Sequence, residues 1–236
     1  MTSIPLAPLG RETLDDPGCP PAVARATLRD IATANALFGG RWAAAFGLKT
    51  LLRAGALPAR PLRLLDLGAG SGDVARYLQA WARRRHLRVQ PVTLDIHREA
   101  VGLSRRAGLA SIRADVAALP LLAKSVDIVL ASQFVHHFHP EGARTVLRTF
   151  DKLAAVGVIV ADLRRARAAA AGIWLASLAL GFHVATRRDG VLSVRRGYRA
   201  AELASLLEDA GIRTPVHRRP GFRLVAAWRT DRANTG

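Results

Sequence analysis

The sequence predicts an α/β fold built on a doubly wound, mostly parallel sheet. Three observations indicate this class: apolar segments of strand length alternate with helical patterns, a glycine-rich turn follows the first strand, and acidic residues end the next two strands. The alternation runs from residue 62 to residue 164. Because parallel strands are joined by crossover helices, this order predicts helices packed on the sheet.

The elements follow in a definite order along the chain. An arm over residues 1–20, rich in proline and glycine, precedes helical patterns at 22–40 and 42–55. Strands are predicted at 62–68, 88–96, 111–116, 125–135, 155–164 and 222–230, with helices at 73–85, 98–108, 141–153 and 198–212. We divide the chain into an arm with cap helices (1–57) and one domain (58–236). Within that domain a lid is inserted at 164–197, and its first half is an apolar helix.

The composition narrows the class of protein. Half of the 236 residues are apolar, enough for a sizeable core, and one cysteine, Cys19, cannot form an internal disulfide. The N-terminus lacks a signal-peptide pattern, and no apolar stretch reaches the roughly 20 residues of a spanning helix. We therefore expect a cytoplasmic chain, with peripheral attachment to a membrane surface as an alternative.

The charge is strongly positive. Lysine and arginine number 35 against 18 acidic residues, a formal net charge of +17. Such a charge is typical of proteins that bind polyanions or anionic membranes. The arginines are spread along the chain, however, and the nucleotide composition of a GC-rich genome would also produce them. A solvated basic surface and a polyanion partner both remain open.

The turn LDLGAGSGD at residues 65–73 predicts a ligand cradle, because glycine allows close backbone approach and a helix start presents free amides. Gly68, Gly70 and Gly72 lack the spacing of a dinucleotide fingerprint, since Asp73 stands in the place of its third glycine. Asp73 would repel a pyrophosphate, although stabilisation of the helix start explains it equally well. A ligand without phosphates is favoured.

Two further acids are predicted at strand ends. Asp95 can accept hydrogen bonds from the ribose hydroxyls of a nucleoside. Asp115 can accept one from an adenine amino group, with Val116 or Ala117 against the ring. Each acid alone would more often be a cap or turn residue. Together with the glycine turn, they make three successive strand ends converge on one nucleoside.

These segments resemble the motifs of the class I S-adenosylmethionine-dependent methyltransferases. LLDLGAGSG resembles the first motif, VTLDI the ribose-binding strand, IRADVAALP the adenine-binding turn, and VDIVLASQFVHHF the fourth strand. The resemblance implies a Rossmann-like seven-stranded sheet with N-terminal helices and an inserted lid helix, an enzyme, and S-adenosyl-L-methionine as cofactor. The cofactor-binding residues that it implies are Asp66, Gly68, Ala69, Gly70, Gly72, Asp95, Ile96, Asp115, Val116 and Gln133.

Histidines cluster after the fourth predicted strand, beside the methyl site that the resemblance implies. An imidazole is the natural base near neutral pH, and we expect His137, or else His136, to be catalytic. Packing or shaping of the pocket is the alternative role. No carboxylate in the local sequence pairs obviously with these histidines, so we expect no metal.

Two features concern the methyl acceptor. ASQF replaces the Asn-Pro-Pro-Tyr motif of enzymes that methylate nucleobase amines, and the apolar lid would cover the site with the N-terminal helices. We expect Phe38, Trp42, Phe134 and Trp174 to line the acceptor pocket. The arm and the arginine-rich turn after the fifth strand resemble small methyltransferases of bacterial secondary metabolism. The expected acceptor atom is an oxygen, less often a carbon, of a small lipophilic, phenolic or polyketide-like metabolite.

Three alternatives for the function stay open. An RNA methyltransferase would use the basic surface. A membrane-associated enzyme acting on a quinone or lipid would use that surface together with the apolar helix. A non-catalytic protein that binds S-adenosylmethionine would need none of the histidines.

Overall fold

The computed structural model describes residues 10–16, 18–119 and 121–230. Its sheet contains β1 (Leu62–Leu67), β2 (Val89–Asp95), β3 (Ala110–Arg113), β4 (Val126–Ser132), β5 (Ala154–Leu163), β6 (Val216–Arg219) and β7 (Arg223–Arg229). The order across the sheet is β3-β2-β1-β4-β5-β7-β6. The first five strands run parallel, and β7 is antiparallel to β5 and β6. The predicted α/β class with a seven-stranded, mostly parallel sheet is confirmed.

Eight α-helices surround this sheet in the described part of the chain. They are α1 (Pro21–Leu37), α2 (Gly40–Arg53), α3 (Asp73–Arg83), α4 (Arg98–Arg106), α5 (Pro140–Leu153), α6 (Arg167–Ala179), α7 (Val184–Arg196) and α8 (Ala200–Asp209). Helix α7 and strand β6 are absent from the sequence prediction. Gly190 interrupts the helical pattern of α7, and β6 has only four residues, two of them exposed arginines.

The sheet buries both of its faces. Successive residues of β1 point to opposite sides, so that Leu65 and Leu67 pack under α5 and α8 while Leu62 and Leu64 pack under α2 and α3. Helix α2 therefore belongs to the same core as the central strands. The boundary that we place after residue 57 stays a prediction.

The carboxyl ends of the parallel strands form one edge of the sheet. Helices α1, α6 and α7 and residues 10–15 of the arm cover this edge. The arm contains a short 3-10 helix, Thr13–Asp15, and a second 3-10 helix, Val135–His137, follows β4. Both contact α7. Among the described helices, none combines the length and apolar character that crossing a membrane would require.

Candidate active site

A cavity of about 950 Å³ lies at the carboxyl edge of the sheet. Thirteen of the sixteen residues that the sequence predicts for the site line it: Phe38, Asp66, Gly68, Ala69, Gly70, Asp95, Ile96, Asp115, Val116, Gln133, Phe134, His136 and His137. The arm, α1 and the α6–α7 lid supply the rest of the wall. Cofactor, acceptor and histidine regions therefore share one enclosure.

Three predicted residues lie outside this wall. Gly72 has a left-handed φ of 73°, and a Cβ atom there would lie 2.4 Å from Ser104 Oγ, so this glycine serves the packing of the loop on α4. Trp42 and Trp174 are 59% and 49% exposed and do not line the cavity. Helix α6 is apolar on both sides, so periodicity did not show that Ile173, rather than Trp174, faces inward.

Asp66 is a buried carboxylate at the end of β1. Neither of its oxygens has a hydrogen-bond partner among the described residues, and only 1% of the residue is exposed. Burial, and then the charges of Asp73 and Asp95, raise its pKa well above the usual carboxyl range. A buried carboxylate without a partner is costly, so Asp66 suits a ligand that brings a positive charge.

Phe134 explains why the loop needs glycine at position 68. Gly68 has a left-handed φ of 63°, and a Cβ atom there would lie 2.2 Å from Phe134 Cδ2. The aromatic ring therefore sits directly against the loop backbone. Any side chain larger than hydrogen would push the two apart.

Asp73 connects the glycine loop to the cap helices. Arg41 Nε lies 3.0 Å from its Oδ2, and the Asn35 amide donates to its Oδ1 at 3.3 Å. Asn35 in turn accepts a hydrogen bond from the amide of Gln133. The role of Asp73 therefore extends beyond its position at the start of α3, because it ties α1 and α2 to the site.

Asp95 and Asp115 also make local hydrogen bonds. Asp95 accepts from the backbone N–H of Gly70 at 2.9 Å and of His97 at 2.8 Å, and Asp115 caps a 3-10 helix by accepting from Ala117 N at 2.9 Å. Burial raises the pKa of Asp95 despite these two amides. A carboxylate has further lone pairs, so the predicted contacts with ribose and adenine remain predictions.

His136 forms a buried pair with Asp162, which ends β5. Its Nδ1 lies 2.6 Å from Asp162 Oδ1, while its Nε2 has no hydrogen-bond partner among the described residues. Burial alone would raise the pKa of Asp162. The charge and hydrogen bond of His136, together with two backbone amides, outweigh burial and lower this pKa. An ionised Asp162 requires the proton of a neutral imidazole to be on Nδ1, which leaves Nε2 free to accept another.

His137 has a different environment. Its Nδ1 lies 3.1 Å from Asp15 Oδ1 in the arm. Burial lowers its pKa, but the charge of Glu12 and the hydrogen bond and charge of Asp15 outweigh burial and raise it. The pKa of Asp15 falls to about 2 because His137 and Arg196 overcome the effect of burial. Because its pKa is raised, more of His137 carries a proton and cannot accept another, whereas Nε2 of His136 has no hydrogen-bond partner among the described residues and can accept one.

The arm is held against the site by buried ion pairs. Arg196 Nη1 lies 3.1 Å from Glu12 Oε1 and 3.4 Å from Asp15 Oδ2, and Ser193 Oγ donates to Glu12 at 2.7 Å. The sequence prediction missed Glu12, Asp15, Asp162 and Arg196. Asp162 could have been predicted, because it lies near a strand end, as Asp95 and Asp115 do. Nothing in the local sequence around Glu12, Asp15 or Arg196 indicates a role in the site.

The structure supplies the carboxylate that the local sequence around the histidines lacks. One ligand atom each of Glu12, His136 and His137 lies within 4.8 Å of the others, a spacing that a metal ion could bridge. The guanidinium of Arg196 already provides Glu12 with a cationic partner. The absence of a metal requirement stays a prediction.

Comparisons with known proteins concern the domain and its fold. Residues 65–161 match a family model described as a methyltransferase domain. No curated protein sequence gives a significant match. Residues 65–161 therefore carry a methyltransferase domain, and this match together with the fold supports a class I S-adenosylmethionine-dependent methyltransferase.

Solved structures share the fold at low sequence identity. The O-methyltransferase NcsB1 from neocarzinostatin biosynthesis has a TM-score of 0.63 at 18% identity, with 93% of this chain and 61% of that chain covered. The plantazolicin methyltransferase BpumL has 0.60 at 17%, covering 90% and 95%. The magnesium protoporphyrin IX methyltransferase from Synechocystis PCC 6803 has 0.51 at 16%, covering 81% and 79%.

S-adenosylmethionine is the cofactor of this class, and the residues present fit it. Its sulfonium carries positive charge and no phosphate, in agreement with the partnerless carboxylate of Asp66 and with Asp73 at the helix start. Gly68 and Gly70, both with left-handed φ, leave the loop backbone open to a ligand. Asp66 and the glycine loop would hold the amino-acid part, and Asp95 and Asp115 the nucleoside.

Proposed function

We propose that the chain transfers a methyl group to an oxygen, rather than a carbon, of a small lipophilic metabolite of phenolic or polyketide-like character. The observation that carries this proposal is that His136, which lines the cavity, is paired with the buried carboxylate of Asp162. Transfer to a hydroxyl oxygen needs a base, and this pair is suited to act as one.

Each residue has a defined task. S-adenosylmethionine, when bound, would supply an electrophilic methyl group on its sulfonium sulfur, which leaves as a neutral thioether. His136 Nε2 accepts the proton of the acceptor hydroxyl, and Asp162 fixes the tautomer and stabilises the imidazolium that forms. The enclosure orients the acceptor and keeps water away.

The cavity wall supports a lipophilic acceptor. Apolar side chains from the arm, α1, the lid and the strand ends contribute to it, among them Leu14, Ile31, Phe38, Leu163, Ile173, Phe182, Val194 and Phe222. NcsB1, which shares the fold, was solved with S-adenosylmethionine and 2-hydroxy-5-methyl naphthoic acid. A flat, aromatic hydroxy compound is the acceptor class that we propose.

A histidine substitution tests the proposed base. We expect His136→Ala to reduce turnover about a hundredfold or more without weakening cofactor affinity, because the proton acceptor is removed. The matched control is His139→Ala, since His139 lies nearby but outside the cavity wall. Turnover would be measured with labelled S-adenosylmethionine and affinity by calorimetry. Normal turnover in His136→Ala would contradict this role.

An RNA methyltransferase is the second candidate, favoured by the net charge of +17. The metabolite and RNA hypotheses are distinguished by incubating the protein with methyl-labelled S-adenosylmethionine and an extract of the source organism. The products are then fractionated. Label in the organic-soluble fraction supports the metabolite enzyme. Label in RNA overturns it, and labelled product in neither fraction would favour a non-catalytic binding protein.

A further inference from the structure

The lid presents an apolar face to solvent. Five of the nine large apolar side chains that are exposed in the described part of the chain lie there: Trp174, Leu175, Leu178, Leu180 and Val184. We call these five the outer lid face. Their exposed fractions run from 42% for Leu178 to 64% for Val184. A cluster of this kind usually marks a surface that meets another apolar phase.

Positive charge borders the outer lid face. Arg187, Arg188 and Arg195 of α7 line a groove that also includes Trp174, Leu178 and Val184. No acidic residue occurs between positions 162 and 189 of the sequence. Among the ion pairs of the described residues, none involves these three arginines. The lid thus combines an apolar surface with cations that form no close ion pair among the described residues.

We propose that the outer lid face docks the protein on an anionic lipid bilayer, with α6 lying in the plane of the interface. A helix of 13 residues is too short to span, but its apolar side can enter the boundary between headgroups and acyl chains. Trp174 suits this boundary because an indole ring has an apolar body and a polar N–H. Arg187, Arg188 and Arg195 would then face the lipid phosphates, each contributing favourably near an anionic surface.

The charges favour a bilayer over a protein or nucleic-acid partner. A symmetric contact between two copies would place the same arginines of both copies in one interface, where like charges oppose association. RNA would pair with the arginines but would leave the exposed leucines without a role. An anionic bilayer offers acyl chains to the apolar side chains and phosphates to the arginines.

The inner side of the same two helices lines the catalytic cavity. Gly172 and Ile173 of α6 and Gly190 and Val194 of α7 contribute to its wall. If the proposed lipophilic acceptor is correct, a bilayer is where such a compound collects, and docking places the cavity next to it. Bilayer docking itself does not depend on that acceptor.

Vesicle flotation with the purified full chain tests the proposal. We expect the protein to float with vesicles of phosphatidylglycerol and phosphatidylcholine, and at least tenfold less with phosphatidylcholine alone. The double variants Leu175→Glu/Leu178→Glu and Arg188→Glu/Arg195→Glu should each lower the partition coefficient at least tenfold. All four positions are exposed, so these variants should fold, which circular dichroism would verify.

Matched controls come from the opposite edge of the sheet. Leu122→Glu alters a leucine that is 82% exposed before β4, and Arg83→Glu/Arg84→Glu makes the same charge change at the end of α3. Both should float like the unmodified protein. Equal flotation of lid and control variants, absence of flotation, or a lipid-free dimer that the lid variants dissociate would overturn the proposal.

The test is independent of the proposed function. Flotation needs neither cofactor nor acceptor, and His136→Ala should float normally while methyl transfer is lost. Conversely, the lid variants should retain transfer to an acceptor dissolved in detergent, because Leu175 and Arg188 lie outside the cavity wall. Loss of flotation with retained transfer supports docking, and retained flotation in the lid variants contradicts it.

Discussion

The carboxyl group of Asp66 has no hydrogen-bond partner among the described residues, while those of its neighbours Asp73 and Asp95 are both hydrogen-bonded. Its raised pKa means that the folded chain binds the carboxyl proton more tightly than the unfolded chain. The associated stability is present below the unfolded pKa of about 4 and is lost as pH rises through the folded value. We therefore expect Asp66 to lower the stability of the fold at neutral pH and to favour binding of a cationic ligand.

Replacement of Asp66 tests both effects, on stability and on cofactor affinity. We expect Asp66→Asn to raise the free energy of unfolding at neutral pH, to leave it nearly unchanged near pH 3, and to weaken binding of S-adenosylmethionine by about 1 to 3 kcal/mol. Urea unfolding and calorimetry measure the two quantities. Asp209→Asn is the control, because that carboxylate is about half exposed. Unchanged affinity in Asp66→Asn would remove the residue from the cofactor site.

Gly68 offers a second test at this scale. Gly68→Ala must accept both a left-handed φ and the contact with Phe134, whereas Gly108→Ala faces a left-handed φ of 82° with open space. The left-handed conformation alone should lower the free energy of unfolding of an alanine variant by about 1 to 2 kcal/mol, and overpacking against Phe134 should lower it by about 1 to 3 kcal/mol more. We expect only Gly68→Ala to lose cofactor affinity, as measured by calorimetry. Equal effects of the two substitutions would show that Phe134 yields to the extra carbon.

The arm is the element whose position depends most clearly on charge. Asp15 pairs with His137, whose pKa is raised, and both Asp15 and Glu12 pair with Arg196. The contribution of His137 is complete below its unfolded pKa of about 6.5 and is lost as pH rises through the folded value. Arg196 stays charged throughout, so the arm should loosen rather than detach.

Hydrogen exchange of the arm amides measures this loosening. We expect the protection of residues 12–15 to fall as pH rises from about 6 to 9, after correction for the intrinsic exchange rate. His137→Gln should show weaker protection with little dependence on pH over that range. Identical pH profiles in the two proteins would mean that Arg196 alone holds the arm.

At the scale of the whole molecule, the protein has a net positive charge, whereas acidic residues outnumber arginines in the cavity wall. Seven carboxylate residues line the cavity, namely Glu12, Asp15, Asp66, Asp73, Asp95, Asp115 and Asp189, against the two arginines Arg11 and Arg223. A polyanion attracted to the outer surface would meet acids at the catalytic centre. The net charge of +17 therefore says little about the methyl acceptor.

Salt dependence tests this separation. We expect turnover on a small acceptor to change less than about twofold between about 50 and 200 mM salt, because interactions in an enclosed cavity are weakly screened. RNA contacts would lose about 10³ to 10⁵ in affinity over the same range if several phosphates were bound. Filter binding of RNA provides the comparison. A steep fall of turnover with salt would indicate a polyanionic acceptor.

The sequence by itself determined the central sheet and the position of the cofactor site. Asp66, Gly68, Asp95 and Asp115 were predictable because each belongs to a strand followed at once by its turn, a local unit whose pattern carries its own geometry. Parallel strands then bring their carboxyl ends to one edge, so local units of this kind converge. The class of protein was indicated by the resemblance of these units to the motifs of a known family.

Only the tertiary structure showed which carboxylate each histidine contacts and which face of the lid meets the cavity. Asp15 lies 122 positions from His137 in the chain, and Glu12 lies 184 from Arg196, so no local pattern records either contact. Trp174 and Ile173 are adjacent in an apolar helix, and packing against α7 and the cavity selects the side that is buried. Such choices depend on how distant elements pack, because a contact between remote residues is fixed by the whole fold rather than by either segment.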